Sequence, residues 1–80
     1  MQVNILAFGI ARDILGAGSI TLDVPEQATV SELKELLCSR YPRFEKLASM
    51  AIALNAEYAS DTQVICAGDE IVIIPPVSGG

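Results

Sequence analysis

The sequence predicts an α+β fold: a mixed sheet of four to five strands packed by one main helix. Three stretches carry that prediction. "QVNILAF", near the N-terminus, alternates with apolar residues on both faces. "ATVSELKELLCSRYPRF" has a helical period behind a capping pattern. "EIVII", near the C-terminus, is apolar on both faces, as suits a strand in the middle of a sheet. Eighty residues make one domain. A chain this short buries only about 60% of its unfolded surface, and a composition that is 51% hydrophobic, with mean hydropathy +0.45, suits an efficient core.

The elements follow in order. In the first strand Val3, Ile5 and Ala7 face one way and Asn4, Leu6 and Phe8 the other. "GIARDILGAGS" reads as a loop holding one helical turn, punctuated by glycines. "SITLDV" sets Ile20, Leu22 and Val24 against Thr21 and Asp23, a half-buried strand that Pro25 ends. Thr29 with Glu32 three residues on is a capping box. Val30, Leu33, Leu36, Leu37 and Tyr41 then share one helical face, and Pro42 stops the helix. Phe44 and Leu47 should tuck under the core. "MAIALNAEYAS" predicts two short strands meeting at Asn55-Ala56, a weak hairpin signal because no glycine follows the asparagine. A loop with a turn at Gly68-Asp69 leads into the last strand. The order β-β-α-β-β-β, with the final strand parallel to the first and beside it, is the β-grasp arrangement.

Composition narrows the function. The longest apolar run near the C-terminus is too short to span a bilayer, which takes about 20 residues. "MQVNILAFGIAR" lacks the basic start of an export signal. Cys38 and Cys66 read as reduced thiols of a cytoplasmic protein. The net charge of −5 disfavours nucleic acid and favours a basic protein surface or plain solubility. Four cations, Lys34, Arg40, Arg43 and Lys46, cluster in one stretch, whereas Glu57, Asp61, Asp69 and Glu70 leave the second half acidic. With no histidine there is no Ser-His or Cys-His nucleophile. Two distant cysteines make no zinc site. The glycines spell no phosphate-binding fingerprint, and the acids show no paired spacing.

What remains is the end, "PPVSGG". A bare Gly-Gly could be a loose terminus. Pro75 and Pro76, however, favour an extended launch away from the sheet. Residues 75–80 therefore read as a tail distinct from the domain at 1–74, with a reach of about 20 Å. Gly79 and Gly80, lacking Cβ atoms, fit a narrow channel. The group such a tail delivers is the Gly80 carboxylate. Adenylation activates a carboxylate, and a sulfur donor that displaces AMP leaves a thiocarboxylate.

"FGIARDILG", "TVSELKELL", "IALNAEYA" and above all "GDEIVIIPPVSGG" resemble the small, sulfur-carrier subunit of molybdopterin synthase, a ubiquitin-like family, over the whole chain. The resemblance implies that Gly80 is adenylated by an activating enzyme, which consumes ATP, and thiolated from a persulfide donor. It implies that the tail then enters the large subunit, which holds the active site, and gives sulfur to cyclic pyranopterin monophosphate. It implies a carrier that is itself a non-catalytic subunit with no cofactor or metal of its own, in a heterotetramer. By position, Gly79 is the channel-fitting neighbour, and Pro75, Pro76, Val77 and Ser78 complete the inserted tail. Phe8, Tyr58 and Ile74 match apolar positions presented to both partners, and the family often has an aromatic where this chain has Ile74. Phe8 could equally pack in the core, Tyr58 should be exposed on an edge, and Arg12 matches a usually basic position or is a plain surface charge. Other readings are a carrier for thiamine, tRNA thiolation or cysteine, a ubiquitin-like modifier of lysines, and an interaction module with an inert tail.

Overall fold

The predicted alternations become strands. The computed structural model describes residues 1–46 and 50–74. The elements run β1 (Gln2–Ala7), α1 (Gly9–Leu15), β2 (Ser19–Asp23), α2 (Val30–Arg40), a 3-10 helix (Pro42–Lys46), β3 (Ala51–Leu54), β4 (Glu57–Tyr58) and β5 (Ile71–Ile74). They build one five-stranded sheet in the order β2-β1-β5-β3-β4. β1 pairs antiparallel with β2 and parallel with β5, while β3 is antiparallel to both β5 and β4. This is the expected β-grasp topology. The last strand enters the centre of the sheet beside the first, and α2 lies in the crossover that parallel neighbours require.

One sheet face forms the core. Register pairs Val3 with Leu22, Ile5 with Ile71, Ala7 with Ile73, and Ile52 with Ile73, so their side chains share that face. Val30, Leu33 and Leu37 of α2 are buried against it, with Ile65 and Phe44. Leu36 and Tyr41, expected on the same helical face, are half-buried at its margin. Phe44 lies in the 3-10 helix that Pro42 begins, with its ring edge-on to Tyr41 at 6.1 Å between centroids. Leu47 lies outside the described residues.

The N-terminus of α2 is held from both sides. Thr29 and Glu32 form the capping box, with Glu32 N–H donating to Thr29 Oγ1 at 3.2 Å and Thr29 N–H to Glu32 Oε1 at 3.2 Å. The preceding donors, Val30 N–H and Ser31 N–H, go to the carbonyls of Gln63 (3.0 Å) and Asp61 (2.9 Å). With these donors satisfied internally, the helix end offers little to an anionic ligand.

One local expectation changes, and one weak signal holds. "GIARDIL" is a seven-residue helix, not a loop with one turn. Phe8 provides no side-chain cap; burial of Ala11 and Leu15 holds the helix to the core instead. Gly9, at φ 57°, takes the backbone geometry that lets the chain turn from β1 into α1, and Gly16, at φ 78°, closes the helix. Asn55-Ala56 does form the hairpin turn. Asn55 (φ 53°) and Ala56 (φ 71°) both lie in the left-handed region, so alanine occupies a position where glycine is usual. Among the described residues no helix is long and apolar enough to cross a membrane.

Candidate functional site: the open sheet face

The residues that point away from the core define the site. Register places Leu6 beside Ser19 and Val72, Val72 beside Ala53, and Ala53 beside Tyr58, a row that crosses all five strands. A second row starts from Ile74, the partner of Ala51. Phe8 continues β1 in an extended conformation (φ −130°, ψ 161°), two residues after Leu6. In the parallel pair that step brings it alongside Ile74, itself two residues after Val72.

The structure therefore gathers Phe8, Tyr58 and Ile74 on one face. Phe8 is 61% exposed and Tyr58 75% exposed, which excludes core packing for Phe8. Ile74 is half-buried. Large apolar side chains presented together on a small domain mark an interaction surface. Sequence reasoning missed Leu6, Val72, Ala51 and Ala53 as members of this face. For Leu6 and Val72 the signal was the two-sided alternation of "QVNILAF" and "EIVII", which identified central strands but not which side stays open. Ile74 directly precedes Pro75 in the sequence. Pro75, Pro76, Val77, Ser78, Gly79 and Gly80 lie outside the described residues.

The acidic groups of the second half divide. Asp61 pairs with Lys34 of α2 at 2.8 Å. Asp69 is engaged as well: its Oδ1 accepts from Asn55 Nδ2 at 2.9 Å and its Oδ2 from Cys66 N–H at 2.8 Å. The Asn55 amide, then the Cys66 N–H, hold the Asp69 carboxyl below its ordinary value of 3.8. Asn55 Oδ1 in turn accepts from Glu70 N–H at 3.0 Å. Glu57 and Glu70 are exposed beside Tyr58 and at the start of β5. Arg12 is exposed on α1, with its guanidinium next to Gly18.

The other layer carries less. A shallow depression lined by Ser31, Lys34, Glu35, Cys38, Ser39 and Glu45 lies on the outer side of α2, away from the open face. Cys38 is half-buried and Cys66 exposed, both as free thiols. Among the described residues no three histidine, cysteine or acidic side chains cluster as metal ligands would.

Known proteins of this shape fit the same picture. A molybdopterin synthase sulfur carrier subunit from Arabidopsis thaliana is 35% identical, covering all of this chain and 84% of that relative. SAMP1 from Haloferax volcanii superposes with a TM-score of 0.83 at 26% identity, covering both chains fully. A chain from the complex of subunits 1 and 2 of the molybdopterin-converting factor of Helicobacter pylori gives 0.68 at 28%, again over both full lengths. The ThiS family matches residues 5–80. By that match the chain belongs to the ThiS family.

Proposed function

We propose that this chain is the sulfur-carrier subunit of a molybdopterin synthase. The observation that carries the reading is full-length likeness to relatives of that name. The open apolar face supports it, because a carrier must dock before its tail can be used. In this reading residues 1–74 are the docking domain and 75–80 the working tail. The Gly80 carboxylate attacks the α-phosphorus of ATP on an adenylating enzyme, and pyrophosphate leaves. A persulfide sulfur then displaces AMP, and a thiol reductant cleaves the resulting acyl disulfide to the thiocarboxylate. The carrier next moves to the large synthase subunit, in a heterotetramer, and gives its sulfur to cyclic pyranopterin monophosphate. Phe8, Tyr58 and Ile74 serve both dockings, so the carrier leaves one partner before meeting the other. The reaction belongs in the cytoplasm, where ATP is available.

Intact mass after co-expression with the adenylating enzyme and sulfur donor tests the chemistry. Exchange of oxygen for sulfur adds about 16 Da, lost when Gly80 is deleted. Higher-mass conjugates to lysines would instead identify a protein modifier. Unchanged mass with every component active would refute the carrier reading. Co-purification with the large subunit, against carriers of the thiamine, tRNA and cysteine pathways as controls, tests the acceptor.

A further inference from the structure

We propose that Asn55 and Asp69 are positioning residues for docking: they clamp the β3–β4 hairpin to the turn before β5 and so hold Tyr58 on the open face. The inference rests on reading that face as the docking surface.

The hairpin needs such a clamp. β4 is two residues long and meets β3 through two register pairs, Ala53 with Tyr58 and Leu54 with Glu57, and one bond beyond them from Ala59 N–H to Ile52 O. Glu57 and Tyr58 are both exposed, so neither is anchored in the core. Both turn residues sit at positive φ, which costs a residue with a Cβ, and Ala56 has no polar group to offset it. A short two-stranded hairpin is marginal by itself.

The clamp joins the hairpin turn to the turn at residues 66–70. Asn55 uses both ends of its amide, donating to Asp69 Oδ1 at 2.9 Å and accepting from Glu70 N–H at 3.0 Å. Asp69 uses both oxygens, the second taking Cys66 N–H at 2.8 Å. The Asn55 N–H donates to Glu70 O at 2.9 Å, extending the β3–β5 ladder into the turn. Bonds to an ionised carboxylate are the stronger kind. Tyr58 is thereby ordered before a partner arrives, and the entropy of ordering it is not charged against binding.

Two variants test the clamp. Asn55→Gly keeps a residue suited to positive φ and removes the amide; Asp69→Ala removes the carboxylate. Hydrogen exchange of the Ala59 amide, bonded to Ile52 O at 2.9 Å, reports hairpin opening. In both variants this exchange should quicken about tenfold while β1 and β5 amides keep their protection, and affinity for the large synthase subunit should fall about tenfold. In a Tyr58→Ala background, Asp69→Ala should cost no further affinity, because no tyrosine remains to be held. Equal losses in both backgrounds, or unchanged Ala59 exchange in both variants, would overturn the proposal. If the wild-type chain bound no large subunit, the functional reading would fail, and Ala59 exchange would still decide the clamp.

Discussion

Alanine at Tyr58 and at Ile73 should separate docking from folding. Ile73 is fully buried, with 0% exposure, whereas Tyr58 keeps 75% of its surface in solvent. A tyrosine can bury on the order of 200 Å², so about 150 Å² remains for a partner, and at about 25 cal/mol per Å² full cover is worth at most about 4 kcal/mol. Alanine retains part of that contact, so Tyr58→Ala should cost roughly 2–3 kcal/mol of binding, about 30- to 150-fold in Kd. Its folding stability should change by less than about 0.5 kcal/mol, or about 4 °C in Tm. Ile73→Ala opens a cavity in the core, costs about 2–5 kcal/mol and lowers Tm by at least about 8 °C. Titration calorimetry with the large subunit and scanning calorimetry of the free chain measure the two effects. If Tyr58→Ala lowered Tm as Ile73→Ala does, or bound as tightly as wild type, the assignment of the two sheet faces would be wrong.

Replacing Gly79 with tryptophan should abolish sulfur transfer while Tm stays within about 4 °C, because the tail reading gives that residue no place in the core; retained product formation would remove the narrow-channel argument. Thr29→Ala removes the acceptor of Glu32 N–H and should cost about 1 kcal/mol, a Tm drop of about 4–8 °C that Thr29→Ser largely avoids. The depressed Asp69 pKa gives a signed pH dependence: its contribution to stability is complete above 3.8 and is lost as pH falls through the lower folded value. Denaturant midpoints measured downward from there should fall more steeply for wild type than for Asp69→Asn, and parallel curves would contradict that.

Much of the fold was legible because local and long-range signals agreed. Thr29 and Glu32 announced α2, and the apolar run at Ile71–Ile74 announced a central strand. The helix α1 was not legible: seven residues carry too little intrinsic stability, and Ala11 and Leu15 become helical by packing. The hairpin signal was weak because Ala56 stands where glycine normally marks the turn. Of the site, the exposure of Tyr58 could be read from its short edge strand. The fate of Phe8 could not, since alternation tells which residues share a face and not which face is covered. The Asn55–Asp69 clamp was hidden because its residues lie in separate loops and meet only when β3 and β5 pair.

The position of β5 also bears on synthesis. A ribosome makes this strand after every other described element, yet it belongs between β1 and β3. Until it emerges, the nascent chain holds two half-sheets with no central strand to join them, and the distant pairing of Ile5, Leu6 and Ala7 with Ile71, Val72 and Ile73 cannot form. Such non-local closure is slow, and waiting strand edges attract other chains. Folding is therefore deferred until translation has passed β5. A prematurely terminated product lacks the centre of its sheet, presents no assembled face, and cannot occupy a partner that a finished carrier needs.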